Sequence, residues 1–479
     1  CADAAVTVAE HNYCQPGHRK NAMMYDVCVV GAGMTGSAAA RWVSSREGVK
    51  TCLVGPAEPT EQVTSENTVC VLIILLTGSV QELGEYPAVI LLNEWREGST
   101  RSVFGAHYDE GRIMSTICES IRHETWLVLA QRSISRLRQL ENESGIRFFH
   151  RNGCMIYSSA ERIARFQRLG LPATFLDAEG ISRFYARFNR PSHDKQPKTD
   201  ATHAAALERE NAGYVNPRKY IAANNAVAAR NGCDVITEVV NEVREVFDQR
   251  EGGRYMQVVT SGGRKIHARR VLLCTGAFTN FGRLLPPGVE VDITLVTERV
   301  VFLEVSDVDI ARLEGIPCTV REFDDMQDQR NIYFFPPIRY PDGKVYIKVG
   351  HGFYLNRPLP TYDDVISWYR QREKIPQADI EFLTTSIYGL LTDFTPKSVT
   401  AATCVITRTP TDRYYCDMVT PTLGVVVGGN GSGAMVADEV GRMGALMIGK
   451  GSWDHDLPAE FFKVKYKEVD PKQTPKSNL

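Results

Sequence analysis

Tyr25-Asp-Val-Cys-Val-Val-Gly31-Ala-Gly33-Met-Thr-Gly36, followed by the small-residue run Ser37 to Ala40, decides the fold. An apolar, β-branched strand enters a tight glycine turn and leaves as a helix that continues through Val43. Three glycines in that strand–turn–helix context form a cradle for a pyrophosphate at a helix N-terminus. Gly31 allows the turn, Gly33 lets backbone approach phosphate, and Gly36 lets the helix pack on the strand. Ala32, Met34 and Thr35 complete the loop. The competing reading is a glycine turn in an ordinary α/β domain. Near the other end, Leu423-Gly-Val-Val-Val-Gly-Gly429 runs into Asn430-Gly-Ser-Gly433-Ala-Met435 and repeats the same logic. One dinucleotide held by both ends of a chain is a common build for FAD enzymes. An NAD-dependent dehydrogenase would not need the second glycine segment.

Working outward, the second strand, Lys50 to Val54, should end in an acid for the adenosine ribose. It ends instead at Gly55-Pro56, with Glu58 nearby and no arginine placed for a 2'-phosphate. The ribose contact is therefore assigned to backbone or to Glu58. Arg270-Val-Leu-Leu-Cys-Thr275-Gly276 is a buried strand running into a glycine turn, a third contact with the dinucleotide. A helix pattern spans 119–143 with Gly145 as its stop, and 148–158 reads as a strand pair. Asn216-Pro217 opens another helix. Between about Asp292 and Phe353 the apolar period switches to two, giving an antiparallel sheet with a Pro341-Asp-Gly343 turn. The stretch 60–100 has an apolar core and no clear partner.

The predicted fold is therefore α/β: a Rossmann-like FAD-binding domain with a second, antiparallel-sheet substrate domain. In chain order it comprises an extension at 1–22, FAD-binding residues 23–59, an insertion at 60–100, and a flavin-contacting loop and helix at 101–150. Substrate-domain segments follow at 151–212 and 291–395, further FAD-binding segments at 213–290 and 396–450, and a tail at 451–479.

Composition narrows the class. With 479 residues, 43% hydrophobic and 23% charged, the chain is globular and large enough for two domains. A net charge of −2 implies no nucleic-acid partner. Twelve cysteines without a CxxC pair argue against a metal site or a disulfide scaffold and fit a reducing compartment. No apolar run spans a membrane, since Val69 to Leu76 is far too short. The chain starts at Cys1, with Met23 and Met24 just before the first strand, so 1–22 is read as an extension. Ser477-Asn478-Leu479 is one residue from a peroxisomal signal, and localisation is expected to be cytoplasmic or peroxisomal.

Four segments carry a resemblance that covers most of 24–449 outside the insertion. They are the N-terminal fingerprint, Gly105 to Arg112, Tyr333-Phe-Phe-Pro336 through Lys348-Val-Gly350, and Thr403-Cys404-Val-Ile-Thr407 through Gly433. On these the chain resembles the D-amino-acid-oxidase superfamily of flavoproteins, with a dinucleotide domain of the GR2 type. Within it, the chain is similar to the monomeric sarcosine oxidase group, which includes N-methyl-tryptophan, pipecolate and fructosyl-amine oxidases. The resemblance implies FAD, bound covalently through its 8α-methyl to Cys404, and a monomer. It implies that Val240, Ile113, Thr407 and the turn from Gly429 through Gly431, Ser432 and Gly433 to Ala434 and Met435 line the cofactor. It places His107 near the flavin ring and Arg112 against it, Lys348 over the flavin as the cation that promotes electron transfer to oxygen, and Tyr333 in the substrate pocket. The family's histidine four positions after the lysine falls on Gly352; His351, one step off, is the candidate replacement.

The residues themselves agree with parts of this. A thiolate can attack the flavin 8-methyl if negative charge on the ring is stabilised, and amides of the helix after Gly433 would do so. Without the resemblance, Cys404 reads as a buried structural cysteine. Strand alternation puts Tyr346, Lys348 and Gly350 on one face and Ile347, Val349 and His351 on the other. Lys348 is then either an exposed face residue or a buried cation with a task. Asp109 and Glu110 read as solvated or turn-forming rather than catalytic.

The expected reaction is oxidation of a secondary amine or N-substituted amino acid. Hydride passes to flavin N5, the imine hydrolyses, and O2 is reduced to H2O2. The alternatives are a dehydrogenase with another acceptor and a flavin-binding protein that has lost catalysis. In the resembled group a lysine and an arginine grip the substrate carboxylate; those positions are Met435 and Ser115 here, and a nearby aromatic is Ile406. A larger or less charged amine than sarcosine is therefore expected, unless Arg339 or Arg408 supplies a replacement cation.

Overall fold

Parallel strands need crossovers, and the chain supplies them by returning to one sheet from distant segments. The computed structural model describes residues 23–58, 101–119, 123–190, 202–248, 253–322, 331–352 and 356–468. The extension at 1–22, the insertion at 60–100 and the terminal tripeptide lie outside the described residues.

The fingerprint strand Met24–Val30 sits between Thr51–Val54 and Lys265–Leu273, parallel to both. Asp234–Ile236 extends the sheet beside Thr51–Val54, and Leu423–Val427 joins it parallel to Lys265–Leu273. The strands that lead into glycine turns, Met24–Val30 and Leu423–Val427, thus flank the third contact strand. Their helices, Met34–Ser44 and Gly433–Lys450, pack directly on each other. A Cβ on Gly441 would stand 2.7 Å from Ala38 Cβ and 3.0 Å from Thr35 O, which is why this contact takes small residues. Arg41 pairs with buried Asp438 across that contact, and Arg136 Nε reaches the same carboxylate at 2.6 Å. The helix Glu124–Ser144, which carries Arg136, ends at Gly145 in the left-handed region (φ 74°) as its sequence implied.

The second sheet runs Val399–Arg408, Thr294–Glu304, Val345–His351, Ile332–Phe334, Cys318–Arg321, Cys154–Ser159, His203–Glu208 and Thr174–Leu176. It is antiparallel except where Cys318–Arg321 meets Cys154–Ser159. Gly343 N donates to Tyr340 O at 3.0 Å, closing the expected Pro341–Gly343 turn. One face of this sheet buries Val301, Leu303, Phe334, Ile347 and Val349; the other carries Val300, Phe302 and Tyr346, and faces the dinucleotide half.

One sequence expectation changes. Residues 148–158 do not pair with each other: Phe149–His150 joins Gly213–Val215 in a small third sheet, and Cys154–Ser159 joins the second. The turn between them redirects the chain, which local alternation cannot show. In the segment 396–450, the strand Val399–Arg408 pairs along its length with Thr294–Glu304 of the second sheet. Among the described residues no helix is long and apolar enough to cross a membrane.

Candidate active site

A cavity of about 600 Å³ lies between the two large sheets. Gly31, Ala32, Gly33, Met34 and Thr35 line one end, with Glu58, His107, Val240, Thr275 and Gly276. Gly429, Asn430, Gly431, Ser432, Gly433, Ala434 and Met435 line it from the other glycine turn. Arg112, Ile113, Tyr333, Lys348, His351, Cys404 and Thr407 complete the set of expected residues that reach it. Gly36 does not line it: a Cβ there would stand 1.7 Å from Gly31 O, so this glycine closes the turn.

The residues fit FAD. Gly31 has φ 106°, and a Cβ on it would lie 2.4 Å from Cys274 O, whereas Gly33 has only the His107 ring, 3.8 Å away, in front of it. The fit is clearest in the helix starts. The helices opening at Glu124, Ala160, Ala178, Pro217, Asp307 and Tyr362 are capped by side chains. The helices opening at Met34 and Gly433 have no side-chain cap and no acidic residue in the first turn. Their free amides border the cavity, where an anion satisfies them.

The surroundings of Glu58, the expected ribose contact, are ionic. Glu58 Oε1 meets His107 Nε2 at 2.5 Å, and its Oε2 faces Arg218 at 3.6 Å. Arg218, which sequence reading passed over, opens the helix Pro217–Arg230 and also approaches Glu110 at 3.7 Å. In this structure His107 thus faces Glu58 and Gly33.

At the other end stands a buried charge cluster. Lys348 Nζ donates to Asp109 Oδ2 at 2.5 Å and to Gly111 O at 2.6 Å, and lies 4.0 Å from the Phe335 ring centroid. Lys348 is 2% exposed, so its strand alternation directs it inward as a buried cation. Arg112 pairs with the same Asp109 carboxylate and donates to Ala106 O and Gly111 O. Tyr340 Oη donates to Asp109 Oδ1 at 2.8 Å. Burial opposes the charge on Asp109, yet Lys348 and Arg112 hold its carboxyl well below the usual range. Burial pushes Lys348 down to about 8, against the pull of Asp109. Asp109 does sit in a bend, but it is not solvated: it is the anion on which both expected flavin-side cations converge. Glu110 is not solvated either, accepting from Asn216 Nδ2.

Cys404 is one of two free cysteines among the described residues that are not fully buried. Its Sγ lies 3.8 Å from Ala106 O, and Trp368 Nε1 holds its carbonyl at 2.8 Å. His351 is buried, with burial lowering its imidazole to about 4. Its Nε2 lies 3.8 Å from Glu298 Oε2, an acid that sequence reading missed. Of the substrate-contact positions, Met435 and Ile406 line the cavity. Ser115 does not; it donates to Glu208 at 2.8 Å in the protein interior. Neither Arg339 nor Arg408 lines the cavity; Arg339 turns back onto Gly343 O.

Comparison with known proteins agrees with this geometry. The family described as FAD dependent oxidoreductase matches residues 26–447. The chain belongs to that family. It is 22% identical to monomeric sarcosine oxidase of Arthrobacter sp. (strain TE1826) over 461 residues, covering 94% of this chain and 98% of that protein. Its fold matches NikD, an unusual amino acid oxidase essential for nikkomycin biosynthesis, with a TM-score of 0.66 at 16% identity, over 93% of this chain and 98% of that one. Glycine oxidase from Geobacillus kaustophilus superposes with a TM-score of 0.61 at 15% identity, over 92% and 98%. FAD is thus the cofactor of this family.

Proposed function

We propose that this chain oxidises a secondary amine at the carbon next to nitrogen, giving an imine that water hydrolyses and reducing oxygen to hydrogen peroxide. One observation carries the reading: a single cavity joins two uncapped helix starts, a reachable thiol at Cys404 and the buried Lys348–Asp109–Arg112 cluster. FAD, when bound, supplies the two-electron redox chemistry. The chain's own residues orient and charge the site. The amides at Met34 and Gly433 receive negative charge at both ends of the cavity. Lys348, fixed by Asp109 and Gly111 O, places a cation where charge develops as oxygen takes up its first electron. Asp109 fixes the position of Nζ and balances Arg112. Cys404, close to Arg112, is the residue for covalent cofactor attachment. Tyr333, partly buried with its hydroxyl toward Glu298, borders the substrate.

The relatives named as sarcosine, glycine and amino acid oxidases support oxidation at a CH–NH bond, and the first supports a monomer. Met435 and Ile406 present an apolar wall where a carboxylate would lack its charge partners, and burying an unpaired charge is costly. The substrate is therefore a larger or less charged amine than sarcosine. The test is a peroxide assay over sarcosine, proline, pipecolate and uncharged cyclic amines, with a non-oxygen acceptor in parallel. Peroxide released from a cyclic amine is the expected result. Turnover seen only with the artificial acceptor would overturn the oxidase reading.

A further inference from the structure

Among the described residues the buried acids are, with one exception, well partnered. Glu439 takes Arg442, Arg136 and His455; Asp438 takes Arg41 and Arg136. Asp309 takes Arg312 and Ser306, Glu304 takes Ser398 and Lys344, and Glu208 takes Ser115 and the Thr116 backbone. Glu141 accepts from the amides of Phe148 and Phe149. Glu298 differs. It is 6% exposed and lines the cavity, yet Oε1 receives only a long 3.4 Å hydrogen bond from Tyr333 and Oε2 receives none among the described residues. The His351 ring at 3.8 Å is too far for a hydrogen bond. Arg299, its chain neighbour, points to the opposite face and pairs with Asp379. Arg112 is committed to Asp109.

Position adds to this. On the strand Thr294–Glu304, Glu298 stands directly opposite Cys404. It shares the cavity face with Val300 and Phe302, beside Tyr333. A buried carboxyl left short of partners costs about 1–3 kcal/mol, and such a group in a cavity wall is satisfied by what enters the cavity. Burial, the largest influence, pushes its carboxyl up to about 8 although the charges of Arg299, Arg112 and Arg408 pull it down. The partner it lacks is an N–H donor, best of all a positively charged one.

We propose that Glu298 is a specificity-determining residue whose carboxyl receives a cationic nitrogen of the substrate, selecting amines with no carboxylate at that point. The proposal rests on the amine-oxidase reading only in taking the cavity as an amine site. It replaces the carboxylate clamp of the resembled group with its electrostatic opposite. A carboxylate entering here would meet a second carboxyl across an apolar wall. An ammonium would meet an unsatisfied acceptor.

The experiment is ligand binding to the flavin-loaded protein at pH 9, where the Glu298 carboxyl is ionised and an alkylammonium is still charged, read from the visible absorbance of the bound flavin. Two probes of similar shape are compared, 1-methylcyclohexylammonium, which offers N–H donors and has no hydrogen on the carbon next to nitrogen and so cannot be oxidised there, and 1-methylcyclohexanecarboxylate. Wild type is expected to bind the cation at least about tenfold more tightly. Glu298→Gln should lose about tenfold in cation affinity while leaving carboxylate affinity equal or improved. Equal binding of both probes by wild type, or an unchanged ratio in the variant, overturns the proposal, and the wild-type comparison holds even if the variant does not fold. The amine-oxidase reading fails separately: no peroxide from any amine, with cation binding still dependent on Glu298, would sink that reading and leave this one standing.

Discussion

The two ends of the cavity are built from different materials. At the dinucleotide end, backbone does the work: glycine turns, free amides and a close approach that side chains would block. At the substrate end, side chains do it: Lys348, Asp109, Arg112, Tyr333 and Glu298 arrive from four separate segments and set one another's charge. At Gly31 and Gly36 the first end tolerates no added atom. The second tolerates atoms but not a change of charge. Backbone sites should therefore fail in cofactor loading, and side-chain sites in rate, selectivity or pH response.

The largest effect is expected from Gly31→Ala. The new Cβ would meet Cys274 O at 2.4 Å, in a φ of 106° that alanine avoids. Flavin per protein should fall below about a tenth of wild type, since such strain alone costs about 1–3 kcal/mol before the clash. Normal loading would erase the proposed contrast. Gly145→Ala is the matched control: φ is also positive, at 74°, but nothing stands within 4 Å. It should lower stability by about 1 kcal/mol and leave loading intact.

Lys348→Met comes next. Reoxidation by oxygen should slow by about 100-fold while reduction by substrate changes far less, because the cation serves the oxygen step. Stopped-flow traces of each half-reaction decide it, and equal effects on both would give Lys348 a structural role. Cys404→Ser should then keep the flavin but release it on acid precipitation, where the wild-type pellet stays yellow. Flavin lost on acid treatment of wild type would remove covalent attachment from the reading.

The smallest effect concerns stability against pH. Glu298 has its carboxyl raised from 4.5 to about 8 in the folded protein. The folded chain therefore holds a proton that the unfolded chain releases. Its contribution is full below pH 4.5 and is lost as pH rises through about 8. Glu298→Gln should flatten the fall in melting temperature across that window. An unchanged profile would mean that Glu298 already has a partner for its charge.

The same contrast explains what the sequence revealed. Gly31, Gly33 and Gly433 were legible because a turn's backbone demand is local: spacing and an apolar strand suffice to read it. Asp109 was misjudged because its partner Lys348 lies 239 residues away. Alone in a polar loop, an aspartate reads as solvent-facing. Glu298, in a strand of alternating apolar residues, gave no signal either. Its character comes from facing Cys404 on the neighbouring strand and Tyr333 two strands away, which only the register and the strand order disclose. Cys404 became a candidate through family resemblance alone, since one cysteine among twelve carries no mark of its own.

Asn430 joins the two materials mechanically. Its φ is 48°, its backbone N–H donates to Thr407 O at 3.0 Å, and its Oδ1 accepts from Thr409 N at 2.8 Å. Its Nδ2 returns to Gly428 O at 2.7 Å. One residue thus rivets the second glycine turn to the end of the strand that bears Cys404, and so fastens one sheet to the other. Shear between the sheets has no slack at that joint. A displacement felt by Cys404 and Glu298 would be passed to the amides at Gly433 with little loss. Loosening the rivet with Asn430→Gly, which keeps the φ and removes the amide, is expected to uncouple cofactor affinity from ligand binding. A titration of FAD with and without the 1-methylcyclohexylammonium probe would measure that coupling.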